Sequence, residues 1–227
     1  MERFDYILIG TGQATYTLLS SLVGEGKRVA VCEEDRFAGT CANYGCTPTK
    51  ALVAHARAAH MIRRGEYFGF PSPEPRIDFP KVWARMNHIR SGGHEGLGGW
   101  LKKHTTVFEG HAEFSGPRTV RVDGTEIEGD TILIHAGARA TAPPIPGLDG
   151  VPWLDNKRLL DLEELPEHLI VIGGSYIGLE FGQIFRRFGS RVTVLQRGSQ
   201  LMGREDADVA EIARKVLVRE GVDIRLG

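Results

Sequence analysis

A strand, a glycine turn, a helix and a second strand are written twice in this chain, and the repeat restricts the fold more than any other feature. Tyr6 to Ile9 is an apolar run entering Gly10-Thr11-Gly12. Ala14 to Val23 reads as a helix ended by Gly24 and Gly26, and Arg28 to Cys32 is a strand finishing at Glu33-Glu34. The plan returns at Leu169 to Ile172, followed by Gly173-Gly174-Ser175-Tyr176-Ile177-Gly178, a helix to Phe188, Gly189, and the strand Arg191 to Leu195. The registers match without gaps: Gly10 aligns with Gly173, Gly12 with Ser175, Thr15 with Gly178, Gly26 with Gly189, Arg28 with Arg191 and Glu33 with Gln196. A lone glycine fingerprint says little. Two copies in one strand–turn–helix–strand context predict two βαβ nucleotide-binding units.

In such a unit the first glycine permits the tight turn, the second lets backbone approach a pyrophosphate, and the third allows close helix–strand packing. The helix N–H groups and dipole hold the phosphates. Neither copy is complete. Thr15 puts a β-branched side chain at the third glycine position of the first copy. Ser175 puts a Cβ at the second position of the other, with a hydroxyl that could compensate by a hydrogen bond. The competing reading, glycine turns with no ligand in an ordinary α/β sheet, leaves the matched spacing unexplained.

Between the copies lies Gly39-Thr40-Cys41-Ala42-Asn43-Tyr44-Gly45-Cys46-Thr47-Pro48-Thr49-Lys50. A Cys41–Cys46 disulfide would close a small ring and remove little loop entropy from the unfolded chain. On a straight helix an i,i+5 pair is about 7.5 Å apart along the axis, beyond the roughly 4.4–6.8 Å a disulfide tolerates. The pair must sit on an irregular turn, which Gly45 and Pro48 favour. A poor staple in such a turn reads as a redox pair that opens and closes, against the alternative of two buried core cysteines. Cys32, at a strand end, reads as a small core residue.

The rest of the chain fits around these parts. Ala51 to Arg64 is predicted helical, with Leu52, Val53, Ala56, Ala59 and Ile62 as its apolar stripe. Pro71 to Arg76 is a loop. Phe79 to Lys103 is helical at both ends, but Ser91-Gly92-Gly93, Gly96, Gly98 and Gly99 predict a broken or mobile middle, at about 1 kcal/mol per interior glycine. Thr105 to Phe114, Thr119 to Val122 and Thr131 to His135 read as strands with turns at Gly116-Pro117 and Asp123-Gly124. APPIPG (142–147) is a stiff connector and the best boundary between domains.

Bulk properties exclude several classes. The 227 residues are 41% hydrophobic and 25% charged with net charge -1, so no global field favours nucleic acid or an anionic membrane. MERFDYILIG lacks the basic and apolar regions of a leader, and no uncharged apolar run approaches the roughly 18 residues of a membrane span. Three cysteines are too few for a secreted disulfide framework. The expected setting is the reducing cytoplasm, with no nucleic acid and no membrane as partner.

With a redox stretch set between two dinucleotide units, the chain resembles the pyridine nucleotide-disulfide oxidoreductases, flavoproteins that include dihydrolipoamide dehydrogenase, glutathione reductase and mercuric reductase. The resemblance covers essentially the whole chain. GTCANYGCTPTK, close to the family pattern GTCxNxGCxPSK, is its most specific part, and TPTKALVAHARAAH is most similar to the mercuric-reductase-like branch. ILIHAGARATAPPIPGL resembles the second flavin-contacting stretch, and SYIGLEF with VLQRGSQLMGRED resembles the nicotinamide unit. Ala38 stands where the family usually has glycine.

The resemblance implies a three-layer α/β FAD/NAD(P)-binding Rossmann-like fold. It places a FAD-binding domain at 1–147, with the redox disulfide on its first long helix, and a partial NAD(P)-binding domain at 148–227. Gly10, Gly12 and Glu33 would bind the ADP half of FAD, with Thr40, His111, Ala112, Ala136 and Gly137 as further contacts. Cys46 would face the flavin and Cys41 the substrate, with Lys50 near flavin N5 and Glu180 as its carboxylate partner. Gly173, Ser175, Tyr176 and Gly178 would take the nicotinamide cofactor. Gln196, at the place of Glu33, is neutral and is followed by Arg197, which favours NADPH over NADH.

The implied activity is a relay from NAD(P)H through FAD to the Cys41–Cys46 pair and then to a small disulfide, or in reverse from a dithiol. A mercuric ion is the other implied substrate, with both cysteines as transient ligands and no structural metal. Full-length members are homodimers whose C-terminal domain supplies a His–Glu pair and whose late aspartate holds the flavin. Neither is found before Gly227, so the expectation is an N-terminal half. An unpaired sheet edge is then expected near Val192 to Leu195. The other reading is a non-catalytic remnant that binds FAD partially or serves as a dithiol redox or metal-binding module.

Overall fold

The computed structural model describes all residues, Met1–Gly227. They form two compact units, residues 1–48 with 87–161 and residues 49–86 with 162–227. No helix is long and apolar enough to cross a membrane.

In the first unit the opening repeat folds as β1 (Glu2–Ile9), α1 (Gln13–Gly24) and β2 (Val29–Glu33). β1 is the centre of a six-stranded sheet. It pairs in parallel with β2, Ile9 opposite Cys32, and with β6 (Thr125–Ile134), Ile9 opposite Ile134. β3 (Thr106–Glu109) extends the parallel part beyond β2, bringing Glu109 opposite Glu33. β4 (Ala112–Gly116), β5 (Thr119–Val122) and β6 form an antiparallel meander, giving the order β3-β2-β1-β6-β5-β4. Asp123 and Gly124 both have positive φ, +45° and +87°, as a tight hairpin turn requires. Strand side chains alternate faces, so Leu8 and Val31 join Leu19, Leu22, Phe37, Leu97 and Leu101 on one side. Ile7 and Ala30 join Phe4, Cys32, Val120 and Ile127 on the other. Burial alone pushes the Cys32 thiol up to about 12, which suits a core residue.

Three sequence expectations change here. Thr105 to Phe114 is two strands, because the chain turns at Gly110-His111 to pass from the parallel to the antiparallel part of the sheet. The cysteines do not share one helix: Cys41 lies in α2 (Gly39–Tyr44) and Cys46 is the first residue of α3 (Cys46–Arg63). The glycine-rich segment is neither broken nor irregular but a continuous 26-residue helix, α4 (Phe79–His104). Packing outweighs propensity at two of its glycines. A Cβ on Gly98 would meet the Phe37 ring at 2.7 Å, and one on Gly93 would meet Ala42 Cβ at 3.3 Å. Gly92, Gly96 and Gly99 face open space.

The second unit contains the second repeat: β7 (His168–Ile172), α6 (Tyr176–Phe188) and β8 (Arg191–Gln196), with α5 (Asn156–Leu159) ahead of it in the first unit. α7 (Ala207–Arg219) then leads to β9 (Asp223–Leu226). The sheet is parallel in the order β7-β8-β9. β8 is therefore the central strand. The edge expected at Val192 to Leu195 is closed by β9, where Val194 pairs with Ile224, and the open edges are those of β7 and β9. The apolar face of α6 buries Phe181, Ile184, Phe185 and Phe188. Trp83, from the first turns of α4, sits edge-on to Phe185 at 6.0 Å and is stacked on Phe79 at 4.0 Å. Large buried aromatics of this kind cost about 3–5 kcal/mol to truncate.

Candidate functional site

The two glycine turns match in their hydrogen bonds as well as their sequence. Gly10 and Gly173 have φ of +96° and +105°. The Gly10 amide donates to Cys32 O at 2.8 Å and the Gly173 amide to Leu195 O at 2.9 Å. Next in line, the Thr11 amide donates to Glu33 Oε2 at 3.0 Å, and the Gly174 amide donates to Gln196 Oε1 at 3.0 Å. The residue at the end of the second strand thus braces the turn in both units. Glu33 is held further by the Thr11 hydroxyl at 2.5 Å and the Asp35 amide at 3.0 Å. A carboxylate keeps lone pairs for another donor. Gln196, with its oxygen committed to Gly174, presents an NH₂ instead.

The third glycine positions diverge for a steric reason. Thr15 is buried and its hydroxyl donates to Gly10 O at 3.0 Å, so the β-branched side chain fits and ties α1 to the turn. At Gly178 a Cβ would overlap the Gly173 carbonyl oxygen and lie 2.9 Å from Val171 Cγ1. Ser175 starts α6, but its side chain makes no capping hydrogen bond, so the anticipated compensation is not made within the protein. Tyr176 is exposed at the same helix end, and Arg197 is exposed just past β8.

The redox stretch is built directly on the first turn. Ala38 and Gly39 adopt left-handed conformations, with φ of +75° and +63°. A Cβ on Gly39 would stand 2.7 Å from Gly12 Cα, and the Ala38 amide donates to Thr11 Oγ1 at 3.2 Å. Asn43, fully buried, donates to Phe37 O at 2.7 Å and Gly39 O at 2.9 Å, while the Phe37 amide donates to His94 Nδ1 at 3.0 Å. Tyr44 is fixed at the other end of α2 by Asn156, which donates to its carbonyl, and by Asp35, which accepts from its hydroxyl. Burial pushes the Asp35 carboxyl up, but the Lys157 ammonium at 2.7 Å and the Tyr44 hydroxyl outweigh it, leaving the pKa below the ordinary value.

Within this frame Cys41 and Cys46 form a disulfide with Cα atoms 4.7 Å apart. Gly45 makes the approach possible: a Cβ there would stand 3.2 Å from Thr40 O and 3.4 Å from Cys41 Cα. Cys41 is half-buried, while Cys46 and Thr40 are exposed. Because Cys46 opens α3, its sulfur lies at a helix N-terminus, where amide donors and the dipole favour a thiolate. Lys50 follows one turn later, and its ammonium is paired with the Glu180 carboxylate of α6.

His111 and Ala112 lie where β3 passes into β4, and Ala136 and Gly137 follow β6. His111 at 2.7 Å and Arg139 both engage Glu34. The His111 hydrogen bond, aided by Arg139, outweighs the opposing effect of burial and holds the Glu34 carboxyl below its usual range. The first unit therefore brings together Gly10, Gly12, Glu33, Thr40, Cys41, Cys46, His111, Ala112, Ala136 and Gly137. The second carries Gly173, Ser175, Tyr176, Gly178, Arg197 and the Lys50–Glu180 pair.

Sequence reasoning missed Thr11, Asn43 and His135. Thr11 links strand end, turn and redox stretch through one hydroxyl. A polar residue between two fingerprint glycines was its only sequence signal. His135 covers the open face of Gly12, where a Cβ would meet its Nε2 at 2.6 Å. Nothing in the sequence signals that approach, because it depends on β6 lying next to β1.

The description "pyridine nucleotide-disulphide oxidoreductase" belongs to the family model that matches residues 4–227. The chain is 33% identical over 226 residues to a mercuric reductase of Bacillus cereus, covering 99% of this chain and 36% of that protein. It is 36% identical to the probable pyridine nucleotide-disulfide oxidoreductase RclA of Escherichia coli, covering 100% of this chain and 49% of that one. A dihydrolipoyl dehydrogenase of Thermus scotoductus is 34% identical over the same full span and 49% of its own length. Among solved structures, the HOCl-induced flavoprotein disulfide reductase RclA of Escherichia coli superposes with a TM-score of 0.86 at 37% identity, covering 98% of this chain and 48% of that one. Its Cu(II) complex gives 0.85 at 37% identity, covering 97% of this chain and 48% of that one. The chain spans about half the length of these relatives, and less of the Bacillus protein. A glycine turn braced by an acidic strand end, a disulfide built on that turn, a second matching turn and these likenesses agree: the chain belongs to the pyridine nucleotide-disulfide oxidoreductase family.

Proposed function

We propose that this chain is the FAD-binding and nicotinamide-binding part of an NAD(P)H-dependent disulfide reductase whose working group is the Cys41–Cys46 pair. The single observation that carries the reading is the placement of that disulfide. Its supporting loop, through Ala38 and Gly39, rests on Thr11 and Gly12 of the first glycine turn. The glycine turn Gly10–Gly12, with the His135 ring lying over Gly12, and the acceptor Glu33 are assigned to the ADP half of FAD, with Thr40, His111, Ala112, Ala136 and Gly137 along the rest of the cofactor. We assign residues 1–147 to the flavin domain and 148–227 to the nicotinamide domain. Gly173, Ser175, Tyr176 and Gly178 receive the nicotinamide cofactor. NADPH is favoured over NADH because Gln196 offers donors where Glu33 offers an acceptor, with Arg197 beside it.

Bound FAD would accept a hydride equivalent from NADPH and supply two electrons to the disulfide. On reduction the Cys41–Cys46 bond would take up those electrons and one proton, leaving Cys41 as a thiol and Cys46 as a thiolate. Cys46, stabilised as thiolate by the start of α3, is the flavin-side sulfur. Cys41 is the one that exchanges with a small disulfide or ligates a thiophilic metal ion. The relatives named as mercuric reductases, and the reductase solved with Cu(II), support the metal alternative. Lys50, its charge balanced by Glu180, is assigned to the flavin ring. We further propose a cytoplasmic protein, with no nucleic-acid or membrane partner, that works as a homodimer in its full-length form.

Anaerobic titration of the FAD-reconstituted protein with NADPH tests the reading. The expected result is two reducing equivalents taken up beyond those of the flavin, a long-wavelength absorbance band at the half-way point, and loss of both in Cys46→Ser. A protein that releases all added FAD on gel filtration while Cys41 and Cys46 still cycle with a dithiol reagent would leave only a dithiol module.

A further inference from the structure

The second unit contains a cavity of about 700 Å³ that shares no residue with the glycine turn, Tyr176 or the Lys50–Glu180 pair. It lies where α3, α6 and α7 end, and Arg63, Arg64, Arg186, Arg187, Arg219 and His60 line it together with Glu74 and Glu220. The nicotinamide turn meets α6 at its other end, about 20 Å away along a 13-residue helix.

The carboxylates here are already committed. Arg63 holds Glu74 through two nitrogens at 2.7 and 2.5 Å and donates a third hydrogen bond to Arg187 O at 2.7 Å. Arg187 makes a two-point contact with Glu220, both bonds 2.7 Å, and Arg186 Nε donates to Glu220 O at 2.9 Å. The remaining donors have no acceptor: the outer nitrogens of Arg186, all of Arg219, and Arg64, which only lies over the Tyr67 and Phe68 rings.

Helix ends attract cations, so the alternative is that the arginines only neutralise three C-termini, and the charge balance decides. Each terminus is worth roughly half a negative charge. The three ends and two carboxylates offset about three and a half of the five guanidinium charges, leaving a surplus of about one and a half. His60 responds to the same field: burial lowers its pKa, and Arg187, Arg64 and Arg63 lower it further against the nearby Glu220. Guanidinium forks match phosphate oxygens in geometry, and the volume is that of a small-molecule site.

We propose that this cavity binds a phosphorylated small molecule through Arg64, Arg186 and Arg219, at a site separate from both dinucleotide turns. Isothermal titration of the full chain with pyrophosphate tests this, with and without saturating FAD. One variant carries Arg64→Gln and Arg219→Gln, both exposed and free of carboxylate contacts. A reference variant carries Arg57→Gln and Arg85→Gln, exposed arginines away from the cavity. The expected result is saturable binding that FAD does not displace, weakened about tenfold or more in the cavity variant and unchanged in the reference. Equal affinity in the two variants, displacement by FAD, or no saturation up to about 1 mM would overturn the proposal.

Discussion

Ala38→Gly is expected to have the opposite effect to an ordinary alanine-to-glycine change in this protein. Ala38 is held at φ +75°, ψ 4°, where an L side chain crowds its carbonyl at a cost of about 1–2 kcal/mol. Glycine removes that strain but loses about 0.4–1 kcal/mol through the freer unfolded chain. Ala38 is half-buried against the Leu8 core cluster, so deleting its methyl costs a further ~0.4 kcal/mol. The amide that donates to Thr11 Oγ1 is retained. Central values leave a gain of about 0.4 kcal/mol. Ala54→Gly, on an exposed position in the middle of α3, should lose about 1 kcal/mol. The two substitutions should therefore differ by about 1.4 kcal/mol, or about 3–6 °C in Tm at this chain length. Urea unfolding and thermal melts of both variants measure the difference. A loss in Ala38→Gly equal to that in Ala54→Gly would show that the left-handed residue carries no strain and that the loop geometry has been misread.

Gly178→Ala should cost about 1–3 kcal/mol, because α6 must retreat from the Gly173 carbonyl. It should also weaken NADPH binding while leaving FAD binding unchanged, as two fluorescence titrations would reveal. His135→Ala uncovers Gly12 and should change FAD affinity about fivefold or more, whereas His104→Ala, outside the turn, should not. Tighter binding identifies the ring as an obstruction, looser binding as a phosphate donor, and no change removes it from the site. The Arg187–Glu220 pair predicts acid sensitivity. Burial raises the Glu220 pKa but Arg187 more than reverses it, so the folded value is depressed. Its stabilisation is complete above the unfolded carboxylate pKa, about 4.3, and is lost as pH falls through the folded value. Glu220→Gln should abolish that component of the acid transition and cost about 2–4 kcal/mol at neutral pH by leaving Arg187 unpaired. A denaturation series from pH 7 to 3 that is superimposable on wild type would count against it.

The sequence by itself determined the local units. Apolar runs ending in Gly10 and Gly173 became β1 and β7 with their turns, because positive φ at those points is accessible to glycine at no steric cost. The equal spacing of Glu33 and Gln196 from their turns became the same hydrogen bond in both units. The separation of Cys41 from Cys46 demanded a break between them, and Gly45 made it. Tertiary structure decided the rest, wherever the deciding neighbour is distant in sequence. Helix α4 runs through its glycines because Phe37 and Ala42 press against two of them. Thr15 is accepted because its hydroxyl bonds the Gly10 carbonyl, whereas a Cβ at Gly178 would run into the Gly173 carbonyl and the Val171 side chain. Val192 to Leu195 is a central strand because the last few residues return as β9. His135 reaches Gly12, and five arginines converge on one cavity, through strand order and helix ends that no local pattern encodes. Propensity and periodicity act over one or two turns of chain; close approach is settled by which surfaces the fold brings together.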